Sequence, residues 1–354
     1  MRVTQYARFS LSALVLSLGL SACGKDNGPS EFNPQGTAAD VAEAQDAFVS
    51  PQASSFAAVG VDISTVLNGA PVVASSAALT SPRPSAASAL YARQLVRLLP
   101  GAGPRIQASV SAIPSEVLGA TFVWDQESHV YVASDLSGAP SNGVRFLLYA
   151  IDPVTLRPVE PVVPVGYVDV MDQSTSTTAA FQVKVVDGSV VYLDYTVSAS
   201  GTESSGQVTV SGFASNGSAR ANFTLNNTIS QNSGGLLLSL DYRLSVPSRK
   251  VSLDWTATFA NISVSEVAIT LDLTVAGPNG SVRLVGTYGA TGGTFTVKVN
   301  GDLFATIALD GSSAVITGAN GASLTADEEQ TLQTILDYFD QSLMAFTDLL
   351  APIS

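Results

Sequence analysis

Side chains that carry out catalysis or bind transition metals are scarce in this chain of 354 residues. The sequence contains one cysteine and one histidine, which excludes zinc sites built from these residue types, redox CxxC pairs and a disulfide within the chain. A Ser-His-Asp relay would have to use His129. No Gly-Xaa-Ser-Xaa-Gly segment, P-loop or dinucleotide-binding fingerprint is present. We therefore predict a protein that is not an enzyme and uses no cofactor.

A weak metal site is conceivable around the histidine. Asp125, Glu127 and His129 alternate along the chain and would share one side of a strand. The segment that contains them also has the composition of a hairpin tip, which is polar for reasons of solvation alone. We favour the exposed turn and predict no metal site there.

Other acidic residues lie where strand ends or solvated strand faces are expected. Tyr167, Asp169 and Asp172 mark one such strand end. Calcium would require several of these oxygens to converge, but no Asp-Xaa-Asp-Xaa-Asp-Gly loop occurs. We interpret these acids as solvated, together with four on strand faces: Asp194, Asp241, Asp254 and Asp272.

The charge balance argues against nucleic acid as a partner. The chain has 16 lysines and arginines against 29 acidic residues, which gives a net charge of -13. A polyanion would be repelled by such a surface. We therefore predict that the protein does not bind nucleic acid.

The N-terminus follows the plan of an exported protein. Two arginines precede an apolar stretch at residues 11–20, which is too short to span a bilayer. This stretch runs into the sequence LSAC at positions 20–23, which resembles the lipobox of bacterial lipoproteins. The resemblance implies that residues 1–22 are a signal peptide and that the thiol of Cys23 is diacylated. These acyl chains would then attach the protein to a membrane.

The residue after the cysteine indicates to which membrane the protein would be attached. In lipoproteins of Gram-negative type, an Asp at this position resembles an inner-membrane retention signal, whereas this chain has Gly24. The resemblance therefore implies an outer-membrane lipoprotein of the cell envelope, facing the periplasm or the cell surface. The alternative is an ordinary signal peptide with a free cysteine.

The segment between the cysteine and the sheet changes in composition. Residues 23–36 are rich in Gly, Pro, Asn and charge, and so predict a flexible lipidated tether. Residues 37–115 are rich in Ala, Ser and Pro, with helices predicted over residues 37–48 and 86–99. This region could be a small helical subdomain packed on the sheet or a semi-ordered stalk.

From residue 116 onwards the hydrophobic pattern has a period of two. Val251, Leu253 and Trp255 alternate with Ser252 and Asp254, which is typical of a strand with one dry and one solvated face. Such runs are separated by Asn-Gly or Asp-Gly pairs, which tolerate the positive φ of two-residue hairpins. We predict a mainly β fold in which about ten strands form an antiparallel meander over residues 181–317. Four shorter strands precede this meander.

The helical period returns at the C-terminus. Thr325 and Glu328 form a capping box at the start of an amphipathic helix over residues 325–350. Ten strands at about 4.8 Å spacing make a sheet roughly 48 Å wide, whereas one helix covers a strip of about 10–12 Å. The sheet must therefore curl, and we predict a half-barrel or barrel packed with this helix in a β domain over residues 116–354.

Any part of the dry face that stays uncovered would form an apolar cavity. We predict that such a site would hold a lipid or another apolar ligand and would be lined by Leu240, Leu253, Trp255, Leu271 and Phe339. One alternative is a structural or adhesive envelope protein with a fully packed core, which presents its Thr- and Ser-rich solvated face to a partner. A transmembrane β-barrel is less favoured, because the chain ends in a helix and only 7% of its residues are aromatic.

Overall fold

The computed structural model describes residues 32–67, 113–201, 205–232, 235–260, 268–289, 292–310 and 313–350. The predicted signal peptide, Cys23 and the helix predicted over residues 86–99 lie outside these residues. The described part of the chain contains three long helices, a short 3-10 turn at Ala319–Gly321 and fifteen strands. The helices are α1 (Pro34–Asp46), α2 (Pro51–Leu67) and α3 (Ala326–Leu350).

The fifteen strands belong to a single mainly antiparallel sheet. In chain order they are β1 (Thr121–Asp125), β2 (Val130–Ser134), β3 (Gly143–Tyr149), β4 (Pro164–Asp172), β5 (Ala179–Asp187), β6 (Val190–Gly201), β7 (Ser205–Ser215), β8 (Arg220–Asn232), β9 (Gly235–Val246), β10 (Val251–Ala260), β11 (Ala268–Gly277), β12 (Gly280–Gly289), β13 (Gly292–Val299), β14 (Asp302–Asp310) and β15 (Ser313–Gly318). The predicted mainly β fold is confirmed.

The order of the strands is a meander with one interruption. From β3 to β15 each strand pairs antiparallel with the next, and the outermost strands β15 and β2 leave the sheet open. At the other end, β1 lies between β2 and β3 and pairs parallel with β3 through Thr121 and Arg145. The turn sequences do not predict this parallel pair, because the pairing depends on the path of the chain between β2 and β3.

The strands form because hydrophobic residues alternate with polar ones. In β10, Leu253 and Trp255 are buried and Asp254 is exposed, as the period of two predicts. The turns also follow the sequence: Asn300 and Gly301, between β13 and β14, have φ angles of 51° and 96°. Two consecutive positive φ angles define the type I′ hairpin that Asn-Gly favours.

The sheet curls so that its dry face encloses the helices. α2 packs on β3 to β6, α1 packs on β9 to β12, and both helices also contact α3. The predicted capping box of α3 is present: the backbone N–H of Thr325 donates to Glu328 Oε2 at 2.7 Å, and the N–H of Glu328 donates to Thr325 Oγ1 at 3.3 Å. Helix and strand side chains contribute to one continuous buried cluster.

α1 runs along one rim of the curled sheet and binds successive hairpin turns. Asn279 Nδ2, in the β11–β12 turn, donates to both carboxylate oxygens of Asp40. Arg249, in the β9–β10 turn, forms an ion pair of 3.1 Å with Glu43. Asn216 Nδ2, in the β7–β8 turn, donates to the carbonyl oxygen of Asp46 at 3.0 Å. These contacts fix the helix to the rim rather than to the middle of the sheet.

One of the acids interpreted as solvated lies in a largely buried ion pair. Asp169 on β4 accepts two hydrogen bonds from Arg145 on β3, at 2.7 and 2.8 Å, and both side chains are less than 20% exposed. The guanidinium group of Arg145 also lies 3.7 Å from the centre of the Tyr167 ring. The interpretation of Asp169 as solvated is wrong, because the register places Arg145 directly opposite it.

This ion pair gives a test of the register and burial at this end of the sheet. Arg145→Leu should lower the free energy of unfolding by about 2–4 kcal/mol, because Asp169 would keep a buried charge without its partner. The matched control is Arg283→Leu, which breaks an exposed Arg–Asp pair between β11 and β12 and should cost less than about 1 kcal/mol. Urea denaturation followed by circular dichroism measures both values. Equal losses would contradict the buried placement of Asp169.

Candidate functional site

The five residues predicted to line an apolar site come together in the interior. Leu240, Leu253 and Leu271 are buried on the dry faces of β9, β10 and β11. Trp255 lies on β10, and its ring meets the Phe339 ring of α3 edge to face at 5.1 Å between centroids. The five side chains are at most 8% exposed. The region between β9–β11 and α3 is therefore a packed apolar interface.

Three aromatic side chains of the sheet attach α3 through their polar ends. Trp255 Nε1 donates to Ser342 Oγ at 3.2 Å, and the hydroxyl groups of Tyr242 and Tyr338 lie 3.3 Å apart. The Tyr195 hydroxyl donates to the carbonyl oxygen of Leu349 at 2.8 Å. Burial raises the pKa of Tyr242 and that of Tyr338, so both phenols stay neutral. These bonds set the position of a helix whose other described contacts with the sheet are largely apolar.

A polar residue interrupts this dry face. Asn227 on β8 is 2% exposed, and neither atom of its side-chain amide has a hydrogen-bond partner. In the register of the sheet, Asn227 is the cross-strand partner of Leu240 on β9. Leu240 is in turn paired with Ala257 on β10, and Ala257 is paired with Leu271 on β11. A buried amide without partners costs free energy. The predicted apolar site thus has an unsatisfied donor and acceptor at one border.

The sequence pattern contains the signal for Asn227. The buried side chains of Phe223, Leu225 and Ile229 are alternate residues on the inner face of β8. Asn227 lies in the same alternation and therefore also faces inward. Asn226 faces the other way, where its Oδ1 accepts from Thr209 Oγ1 at 3.1 Å. The strand pattern over residues 181–317 includes Asn227 but does not show that its amide is unpartnered, because that depends on which elements pack against β8.

A separate cleft of about 70 Å³ opens between α2, the β1–β2 hairpin and the loop after β3. Asp62 lines it from α2, Trp124 and Tyr131 from the hairpin, and Arg157 from the loop. Ser55 shares the helix face of Asp62, since seven residues make two helical turns. Helix α2 falls within the region that was predicted only as helical or semi-ordered, so the cleft could not be located from sequence.

The segment from Asp125 to His129, which was considered as a weak metal site and interpreted as an exposed turn, lies beside this cleft. Ser128 and the backbone N–H of Glu127 bond to Asp125 and lower the pKa of its carboxyl group. His129 has a φ of 55°, and its Nδ1 lies 3.6 Å from Glu160 Oε1. Among the described residues, no three His, Cys, Asp or Glu side chains are grouped to hold a metal ion.

Asp62 is an unusual acid within the cleft. Burial raises its pKa to about 6, although the positive charge of Arg157 opposes this shift. No hydrogen bond or ion pair joins the Asp62 carboxylate to another described residue. Arg157 likewise forms no ion pair with the described acids. The cleft therefore brings together two opposite charges that do not neutralise each other by contact.

Comparison with protein-family models, curated protein sequences and solved structures finds no significant match for this chain. Among the helices described, none has the length and apolar character needed to cross a bilayer.

The raised pKa of Asp62 makes its effect on stability depend on pH. As the pH rises from 3.8 to about 6, the unfolded chain releases this proton before the folded protein does, so the stabilisation present at low pH is lost above about 6. Asp62→Asn removes the charge with little change of shape. It should raise the free energy of unfolding by about 1–2 kcal/mol at pH 7.5, after allowance for partial exposure, and by much less at pH 3.5.

Chemical denaturation across this pH range measures the difference between Asp62→Asn and the unchanged protein. The control is Asp135→Asn, because Asp135 is an exposed acid near the same hairpin. Because its side chain is exposed, this variant should change the free energy of unfolding by less than about 0.5 kcal/mol. A gain for Asp62→Asn that is constant from pH 3.5 to 7.5 would contradict the raised pKa.

Proposed function

We propose that this protein is a non-catalytic, lipid-anchored protein of the cell envelope that holds an amphipathic ligand, such as a fatty acid or a lipid acyl chain, between the dry face of its sheet and α3. The observation that carries this proposal is the unpartnered amide of Asn227 on an otherwise apolar surface. An apolar chain would contact Leu240 and its neighbours. One neutral polar group of the ligand would bind the amide.

The chemistry of the amide defines the kind of polar group. A side-chain amide offers two donors and one acceptor, so it suits an ester carbonyl or a protonated carboxylic acid. A bare carboxylate is less suitable, because burying its charge on an apolar face without a cation is costly. The apolar interface between β9–β11 and α3 supports the proposal, since a chain could replace helix contacts there without breaking sheet pairing.

The anchor is the part of the proposal that rests on the lipobox. Phe32 stands nine residues after Cys23, a distance of at most about 32 Å for extended chain. Its ring packs against Phe304 of β14 at 4.9 Å, close to the turn at Asn300. The rim of the sheet that contacts α1 would therefore be separated from the membrane by no more than about the extended length of residues 23–32.

A structural or adhesive protein with a filled interior is the second candidate. It is favoured by the close packing of Trp255 on Phe339. It is also favoured by the outer face of the sheet, where threonines lie directly opposite one another across β10 to β13. These are Thr258, Thr270, Thr287 and Thr294.

The anchor is tested by Cys23→Ser. Acylation needs the cysteine thiol, so the variant should lose the lipid, and the protein should no longer fractionate with membranes or should stay unprocessed. Membrane fractionation and intact-protein mass spectrometry measure both outcomes. A variant that is still cleaved before residue 23 and still partitions with membranes would contradict the lipobox interpretation.

The ligand site is tested by replacing two adjacent asparagines. Asn227→Val should weaken binding of a fluorescent fatty-acid ester about tenfold, because the ester carbonyl of the ligand loses its partner. Asn226→Val is the matched control, since it changes the same residue type on the outer face and should leave the affinity unchanged. Mass spectrometry of organic extracts should find lipid with the unchanged protein and less with Asn227→Val.

The alternatives predict different results for the same variants. If the interior is simply filled, Asn227→Val should stabilise the protein by removing an unsatisfied amide, and no saturable binding of the probe should be seen with any variant. If Asn226→Val weakens binding as much as Asn227→Val, the ligand does not bind at the dry face and this proposal fails.

A further inference from the structure

We propose that the cleft between α2 and the β1–β2 hairpin binds a small zwitterion, with a primary ammonium group at Asp62 and an anionic group at Arg157. This site is separate from the dry face of the sheet, and the inference goes beyond the function proposed above without depending on it. It rests on two opposite charges that line one cavity and lack other partners in the described structure.

The lack of an ion pair is unusual for this protein. Arg145, Arg243, Arg249 and Arg283 each pair with an acid. Arg220 donates to Asn222 and stacks on the Phe213 ring at 3.6 Å. Arg157 is the remaining arginine among the described residues, and its charge acts on Asp62 without a contact of salt-bridge length. A gap is therefore left between the two charged groups.

Three further polar groups of the cleft have partners, whereas the buried Trp124 Nε1 has none and can donate to a ligand. The Tyr131 hydroxyl donates to the carbonyl oxygen of Leu147 at 2.9 Å. Ser55 Oγ accepts from the backbone N–H of Tyr149 at 3.1 Å, and His129 faces Glu160 at 3.6 Å. Asp62 and Arg157 are thus the charged groups of the cleft that remain free to bind a ligand.

The pair of charges selects the class of ligand. A simple anion would be attracted by Arg157 but repelled by Asp62. A simple cation would be attracted by Asp62 but repelled by Arg157. A molecule with both charges a few ångströms apart satisfies both groups through charge-assisted hydrogen bonds. Trp124 and Tyr131 also line the cleft, and aromatic rings near an ammonium group favour its binding.

The size of the cleft limits the ligand. A volume of about 70 Å³ is several times the roughly 10–15 Å³ that one water molecule needs, so the cleft admits a small polar molecule or headgroup but not an acyl chain. Two sources share this chemistry: a free α-amino acid of the size of glycine, and the phosphoethanolamine headgroup of a zwitterionic lipid.

The protonation of Asp62 should control binding. The charged or titratable groups that face it are Arg157, His129 and Tyr131, with Glu160 behind the histidine. An ammonium group binds the ionised carboxylate. Affinity should therefore be highest near neutral pH, where the carboxylate is ionised and the ammonium group protonated, and should fall as the pH drops through about 6, the pKa of Asp62.

The experiment is calorimetric titration of the full-length protein at pH 7.5 with glycine, with phosphoethanolamine and with short-chain phosphatidylethanolamine. Saturable binding of at least one of them is expected, with a loss of about tenfold or more in Asp62→Asn and in Arg157→Gln. Binding of glycine or phosphoethanolamine would indicate a free zwitterion as the ligand. Binding of the lipid alone would indicate a headgroup.

Matched controls keep the outcome interpretable. Asp241→Asn and Arg243→Gln change an exposed Asp–Arg pair on the outer face and should leave the affinities unchanged. Thermal denaturation shows that each variant is folded, and Asp62→Asn should be at least as stable as the unchanged protein at this pH. Binding of the fluorescent fatty-acid ester should be unaffected by Asp62→Asn, which separates this site from the one at Asn227.

Three results would overturn the proposal. The first is the absence of saturable binding of all three probes to the unchanged protein. The second is equal affinity for acetate, ethylamine or glycerol, which carry one charge or none. The third is binding that persists in both Asp62→Asn and Arg157→Gln.

Discussion

The dry face of the sheet must be shielded from water, and the rest of the structure follows from this constraint. Fifteen strands extend about 67 Å along the sheet at about 4.8 Å per strand, and each helix covers only about 10–12 Å. Three helices would leave a flat sheet of this width largely exposed. The sheet therefore curls around them, and the side chains of helices and strands meet in one buried cluster.

Burial alone does not fix where the helices lie, because the hydrophobic effect is not directional. Directional contacts do this at two places. α1 is held at the rim by hydrogen bonds and an ion pair with three hairpin turns, and α3 is held by the polar ends of Tyr195, Tyr242 and Trp255. A shift of α3 would leave the backbone pairing of the sheet intact, whereas a strand cannot leave the ladder without losing that pairing.

The sequence predicts the features that depend on local patterns. Three such features each depend on fewer than twelve consecutive residues: the period of two in β10, the hairpin at Asn300 and Gly301, and the capping box at Thr325. The features it missed depend on contacts between distant segments. The parallel pairing of β1 with β3, the burial of Tyr338 and Ser342, and the cleft at Asp62 all require elements far apart in the chain to be placed first. Asp169 belongs to the same class, since its partner is set by the register of two strands.

At both candidate sites, polar or charged side chains lack the partners that other such side chains in this protein have. Exceptions of this kind are expected at functional positions. Asn226 and Asn227 are adjacent and identical, yet one amide is satisfied on the outer face and the other is buried without partners. At Asp62 and Arg157 the unsatisfied groups carry full charges, and they line a cleft that is open to small molecules. A buried amide can accept only a neutral group at low cost, whereas a cleft with two opposite charges suits a zwitterion. The two sites therefore differ in the charge of the group they can hold, and the same chemical group cannot satisfy both.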